Sequence, residues 1–459
     1  MNQRHHIESL IVVAVAAYAA KHFSRKHSKG SRRGKQTKHR ERRTVEQIYQ
    51  CLGDVYFRRA YRMSWLSFWK LHDMLCGPIE ETIAKAAKIR KEARRKEKQK
   101  RGVGISNRLN PTPPPPPNGR ISTSVRLACA LRYYAGGSVY DIMSSYGISH
   151  TELFESVWYV VDAINKTTSF DIKYPQHHEE QKKIAADFKA VSDVDFDVCV
   201  GAIDGILIWT LKPTLEDAKA VGVDQMKFMC GRKHKYGLNC QAVCDVRGRF
   251  LDMSIICGGA SSDLVAFEGS DLKKLLDDGI LAHNLCLFGD NAYINSQYMV
   301  TPYPNTSGGA RDNYNYFHSQ LRIRIECAFG MFVQRWGMLR TAIPCNVSVP
   351  KTISLVLALA KLHNFCIDEA EVIPANLLSQ DEQNITGNRN GSVPLVADPL
   401  IAEIINVNTT TPRDLMGGGE HFDDAPRHYR RPLHNDALRS RLCNHVESTF
   451  KTRPRRREP

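Results

Sequence analysis

The stretch that decides the fold is Val198 to Ile208, VCVGAIDGILI. It reads as a buried strand, rich in β-branched and aliphatic residues, yet it carries one acid, Asp204, beside Gly205. A carboxylate delivered by a buried strand is costly unless it is paired or bound to a metal. A second segment repeats the plan, since Cys286-Leu287-Phe288-Gly289-Asp290 is a short apolar strand ending in an acid. A third acid, Glu326, lies on a long amphipathic helix read from Ser319 to Trp336, whose apolar stripe is Leu321, Ile325, Ala328, Phe329, Phe332 and Trp336. Arg322 stands one turn before Glu326, so the pair can lock the acid's rotamer. Oxygen-only ligands of this kind select Mg²⁺ or Mn²⁺ over zinc. Two such ions about 4 Å apart can activate the attacking oxygen and stabilise the leaving one in phosphodiester displacement. Taken singly, each acid has a plainer reading: Asp204 and Asp290 as turn formers, Glu326 as a surface ion pair.

Outward from these strands the chain reads as α/β. Gly237 to Asp245 and Phe250 to Cys257 form a hairpin joined at Val246-Arg247-Gly248-Arg249, and a helix spans about Leu264 to Leu276. Asp245, at a strand end, is a secondary candidate for a metal contact. Arg232, Lys233 and Lys235 precede the hairpin and are placed to touch a phosphate backbone, or to remain solvated edge charges. Upstream, residues 120–166 give a helix (Val125 to Tyr134), a break at Gly136-Gly137 and a short helix capped by Ser138 that runs to Tyr146. The turn Gly147-Ile148-Ser149 and a longer helix from near Thr151 follow. That is a helix-turn-helix plan with a second helix available for a major groove. The second helix presents Glu152 and Glu155 instead of Arg or Lys, so a bundle that only packs is the standing alternative.

Six regions are expected. Residues 1–43 form a basic targeting or disordered arm, and 44–100 a helical region with Ser64 as a cap and a basic end. Residues 101–119 form a stiff linker around Pro113 to Pro117, and 120–166 the helix-turn-helix-like module. Residues 190–370 form the α/β domain, and 371–459 a polar tail with a basic end. The 459 residues carry a formal charge of +16, with 11 Lys or Arg in residues 21–43 alone, which suits a polyanionic partner and a nuclear address. Thirteen cysteines, scattered and without a CxxC pair, favour a reducing compartment over a disulfide framework. Cys240 and Cys244 with His234 nearby make a zinc site conceivable, although buried thiols explain them better. The apolar run Leu10 to Ala20, followed by a basic tract, leaves secretion or membrane anchoring as a minor alternative, and a multipass membrane protein is excluded. His177-His178-Glu179-Glu180 reads as an exposed helix start, and Gly417-Gly418-Gly419 as no phosphate loop.

The motifs then carry a resemblance. Gly201–Gly205 (GAIDG), Leu238–Asp245 (LNCQAVCD), Phe288–Tyr293 (FGDNAY), Arg322–Arg335 (RIRIECAFGMFVQR) and Leu362–Ile367 (LHNFCI) occur in the order found in PIF/Harbinger-type transposases. The chain from about Arg120 to Asp368 resembles that family, which includes the Harbinger-derived nucleases. The resemblance implies an RNase H-like catalytic domain, a mixed sheet flanked by helices, behind the helical N-terminal region. It implies Asp204, Asp290 and Glu326 as the catalytic, metal-holding DDE triad with two Mg²⁺ or Mn²⁺ ions. It also implies DNA as substrate, a nuclear location and a Myb-like DNA-binding partner protein; a homo-oligomer is a further expectation, and the oligomeric state stays open. Three departures stand beside the triad: Ile206 and Leu207 replace the family's Thr and His, Ala292 replaces a Gly, and Ser262 replaces the His before Asp263. Two functions are therefore carried forward. One is a DDE nuclease or transposase that cuts DNA and joins ends. The other is a domesticated descendant that binds DNA or recruits partners with little or no cutting.

Overall fold

The computed structural model describes residues 41–100, 119–370 and 436–454. Residues 1–40, with the apolar run Leu10 to Ala20, lie outside the described residues, as do the proline tract, Gly417–Gly419 and the basic end Arg455–Arg457. Among the described residues, no helix is long and apolar enough to cross a membrane.

The N-terminal region is helical. Helix α1, Val45–Tyr61, starts at a capping box in which Thr44 and Gln47 satisfy each other's backbone N–H groups. Helix α2, Trp65–Lys100, follows, and Ser64 caps it as expected by accepting from Ser67 N at 3.1 Å. Helices α3 (Thr123–Tyr134), α4 (Val139–Tyr146) and α5 (His150–Lys166) reproduce the helix-turn-helix order. The cap lies at Ser149, in a capping box with Glu152, whereas Ser138 makes no capping bond. Helix α5 packs against α3, α4 and α2, burying Leu153, Val157, Val160, Val161 and Ile164. The helix offered by the sequence for a major groove is thus the central helix of the bundle. Helix α6, His178–Ala190, begins with the exposed run His177 to Glu180 and leads into the sheet.

Strand β1, Cys199–Trp209, is central. After the short helix α7, Leu215–Ala220, come β2 (Met229–Cys230), β3 (Lys235–Cys244) and β4 (Phe250–Gly258). The helix expected over Leu264 to Leu276 is two, α8 (Asp263–Glu268) and α9 (Asp271–Asp277). They part at Gly269-Ser270 because Ser270 caps the second one, accepting from Lys273 N at 3.1 Å. Then come β5 (Cys286–Phe288), β6 (Met299–Val300), α10 (Gly309–Arg335) and α11 (Val349–Ala370). Strand β3 pairs antiparallel with both β1 and β4, β5 runs parallel to β1, and β6 runs parallel to β5. The order β4-β3-β1-β5-β6, three antiparallel strands then two parallel ones, is the RNase H-like mixed sheet that the resemblance implies. Helices α6, α8, α10 and α11 flank it.

Two elements exceed the sequence reading. Helix α10 begins ten residues before Ser319. Its first turns, rich in Asn and Tyr, have modest helix propensity, and burial of Tyr314, Phe317 and His318 overrides it. The segment read as a polar tail contains helix α12, Ala437–Ser448. Its Leu442, Cys443 and Val446 pack with Tyr314, Phe317 and Leu321 of α10, so this part of 371–459 belongs to the core. Burial pushes the Cys240 and Cys244 thiols up, and His234 stands exposed in a turn, so these three form no zinc site.

Candidate active site

Register explains how two distant acids meet. In the parallel pair of β1 and β5, Ala202 lies opposite Phe288. Asp204 and Asp290 each stand two residues further on, so Asp290, just past the end of β5, comes beside Asp204 in the middle of β1. Strand alternation fixes the face as well. Ala202, Ile206 and Ile208 pack in the same core as Ile325, Ala328 and Phe329 of α10, whereas Ile203 joins Val243 and Leu287 in the layer behind. Asp204, between Ala202 and Ile206, therefore points towards α10.

That helix answers with a row of side chains four residues apart. Tyr314 and His318 are buried, and His318 Nε2 lies 3.1 Å from Val300 O while its ring stacks on Phe288. Burial pushes the His318 pKa down to about 3, so the ring is a neutral anchor tying α10 to β5 and β6. One turn on, the Arg322 guanidinium reaches both sides of the site: Nη1 lies 3.5 Å from Asp204 Oδ2 and Nη2 2.6 Å from Glu326 Oε1. The row ends at Glu326, whose side chain is 44% exposed.

The electrostatics follow from this crowding. Burial, and then the charge of Asp290, pushes Asp204 up to about 7, even though Gly205 N donates to its Oδ1 at 2.7 Å. Burial also raises Asp290, whose Oδ1 accepts from Ala292 N at 2.9 Å and whose charge Arg232 partly offsets. For Arg322, burial alone would lower the pKa, but Glu326, Asp204 and Asp290 together raise it. One guanidinium therefore serves three carboxylates. Such an excess of oxygen donors, with buried acids driven towards neutrality, fits a hard divalent cation. Among the described residues no three His, Cys, Asp or Glu side chains stand in a ready-made metal cluster, and Arg322 lies between Asp204 and Glu326.

A fourth acid belongs to this neighbourhood. Asp263, at the start of α8, is felt electrostatically by both Asp204 and Asp290. Its Oδ1 accepts from Asn239 Nδ2 at 3.0 Å and Gln241 Nε2 at 2.9 Å. Tyr293 OH donates to Gln241 Oε1 behind them. Asp263 and Gln241 cross directly over Gly205, where an added Cβ would lie 2.0 Å from Asp263 Oδ1 and 2.5 Å from Gln241 Nε2. The glycine after Asp204 is thus dictated by side chains lying on it. Asn239, Gln241 and Tyr293 received no role from sequence reasoning. The signal was present in β3, where two amides alternate with buried apolar residues in Leu238-Asn239-Cys240-Gln241-Ala242.

The remaining candidates divide. Arg232 and Lys233 just before β3 and Lys235 at its first position are exposed, and Arg232 lies near enough to Asp290 to act on it. Lys235 Nζ sits 3.0 Å above the Trp209 ring. Asp245 stays outside the site, since its Oδ1 accepts from Arg247 N and Arg249 N and so shapes the β3–β4 turn. Helix α11 fastens the same turn: Asn364 bonds both N and O of Phe250, and His363 Nε2 lies 3.1 Å from Gly248 O.

Residues 203–364 match the DDE superfamily endonuclease family. Among curated proteins, the candidate nuclease HARBI1 of Bos taurus is 25% identical over 250 residues, which are 54% of this chain and 68% of that protein. The protein of the same name from Homo sapiens matches to the same extent. That of Rattus norvegicus is 25% identical over 296 residues, 62% of this chain and 80% of its own length. No solved structure is a match.

Proposed function

We propose that the chain, whose residues 203–364 match the DDE superfamily endonucleases and which is similar to the Harbinger-derived nucleases, is a divalent-metal-dependent DNA endonuclease using Asp204, Asp290 and Glu326. The observation that carries the reading is the register of β1 and β5, which sets Asp204 beside Asp290 under the Arg322–Glu326 pair of α10. These three acids are the residues that would hold Mg²⁺ or Mn²⁺, two ions in all. Bound there, such ions supply a polarised phosphate and a water of lowered pKa.

The protein's own groups do the rest. Asp204 and Asp290 are held by strand hydrogen bonds and turn N–H donors, so their carboxylates start from fixed positions. Arg322 balances the charge of Asp204, Asp290 and Glu326 and is the cation placed to meet a phosphate oxygen. Arg232, Lys233 and Lys235 line the approach and contact the DNA backbone on either side of the scissile bond. Asp263 and its amide clamp fix β1 at Gly205. At a transposon end the 3′-OH released by cutting would attack target DNA in the same site, giving strand transfer. The setting is nuclear, with a Myb-like partner protein and a homo-oligomer supplying end recognition.

A second reading, a domesticated descendant that binds DNA or recruits partners without cutting, is favoured by one observation. Arg322 already ties Asp204 to Glu326, with Ile206 and Leu207 in place of polar neighbours. Incubating purified full-length chain with duplex DNA and with RNA, with and without Mn²⁺, separates the readings. Metal-dependent nicking of DNA that disappears in Asp204→Asn is expected. Cleavage that survives that change contradicts the assignment, and an equal rate on RNA moves the substrate.

A further inference from the structure

We propose that the distal half of α2, Lys85 to Lys100, is a duplex-DNA backbone arm whose contact stripe is Lys88, Lys91 and Arg95. The nuclease reading is needed only for the choice of DNA as the polyanion. The proximal half of the helix is ordinary core, with Phe68, Leu71, Leu75, Ile79 and Thr82 buried on one face. Packing ends at Arg90, whose Nη2 lies 2.9 Å from Glu155 Oε1 and 2.7 Å from Tyr159 OH on α5. Beyond it the side chains of residues 91–97, 99 and 100 are exposed.

This exposed rod is strongly charged. Between Lys85 and Lys100 stand nine Lys or Arg and two acids, Glu92 and Glu97. The other residues include Ala86, Ala87, Ala93 and Gln99, all near the favourable end of the helix scale, and cations near a helix C-terminus suit its dipole. The charge is therefore presented on a preformed helix. At 100° per residue, Lys88, Lys91 and Arg95 fall on the side turned away from the buried stripe. They span seven residues, about 10 Å of helix axis, the rise over which one DNA strand presents about three phosphates.

The contrast with α5 gives the arm its place. The helix with groove-reading connectivity packs at the centre of the bundle, whereas beyond Arg90 this one is exposed and basic among the described residues. It suits sequence-independent backbone contact that raises affinity and positions the duplex, with no reading of bases.

The test measures anisotropy of a labelled 30-base-pair duplex bound by full-length chain without metal, across a salt series. Wild type is compared with a Lys88→Gln, Lys91→Gln, Arg95→Gln triple variant, glutamine keeping helix propensity. The triple variant is expected to lower the log–log salt slope by about 2 to 3 and to weaken binding about tenfold or more near 0.1 M salt. In Mn²⁺ cleavage the triple variant should raise KM and leave kcat unchanged. An unchanged slope and affinity overturns the arm even if the protein cuts DNA. A lowered slope in a protein that never cuts keeps the arm and removes the nuclease reading. Displacement of the duplex by poly-glutamate at equal charge would assign the arm to acidic polypeptides and overturn DNA.

Discussion

Asp204 and Asp290 on one side, and Glu326 on the other, reach the same site by different means. The first two are set by backbone: neighbouring parallel strands, one register, and partly buried carboxylates held by backbone N–H groups. Glu326 is set by a rotamer on an exposed helix face and held by a single arginine. The site therefore has a rigid half built into the sheet and an adjustable half carried by α10. On the proposed reading, the strand acids would supply fixed ligands and Glu326 the adjustable one.

Several substitutions would break or sharpen that division. The largest effect is expected on the rigid half, where Asp290→Asn should lower Mn²⁺-dependent cleavage by about 10³-fold or more. Glu326→Asp, which shortens the movable ligand but keeps its charge, should cost only about 10- to 100-fold. Equal losses in the two variants, measured in the same gel assay, would erase the distinction.

Next comes the floor of the rigid half. Gly205→Ala should destabilise the fold by about 1–3 kcal/mol in denaturant titrations, because the new methyl meets Asp263 and Gln241. Asp263→Asn should make a smaller change, since an amide can still accept from Asn239 and Gln241.

The smallest effect is on pH dependence. Asp204 has a folded pKa of about 7, above its ordinary value, so the folded state keeps a proton that the unfolded chain releases. Stability from this group is complete below the ordinary carboxylate range and is lost as pH rises from about 4 to about 7. In metal-free protein Asp204→Asn should therefore raise stability by about 1–2 kcal/mol at pH 8 and change it little at pH 4. A stabilisation that is equal at both pH values would show that Asp204 is not held near neutrality.

The sequence made the rigid half legible because its physics is local. An acid in a run of aliphatic residues beside a glycine is conspicuous, and two such runs imply a sheet. Glu326 was legible through the helical period and Arg322. What stayed hidden depends on register and tertiary burial. The first turns of α10 lack helix propensity and form because Tyr314 and His318 are buried. Helix α12 has only a short apolar set in a polar stretch, and its partner lies on a distant helix. The amides Asn239 and Gln241 acquire a role only when β3 pairs with β1 and brings them over Gly205 to Asp263. The helix-turn-helix order was visible in the turns at Gly136 and Gly147, yet burial of α5 is a property of the whole bundle. The exposed basic end of α2 could equally have read as a solvated tail, and the helix gives it a shape.

The central claim is that Asp204, Asp290 and Glu326 together hold divalent cations. Its most direct test is a calorimetric titration of Mn²⁺ into metal-free full-length chain, wild type against Asp204→Asn. Wild type should take up two ions, and the variant should lose at least one of them or bind it about tenfold or more weakly. Identical isotherms for the two proteins, or no uptake by wild type, would contradict it.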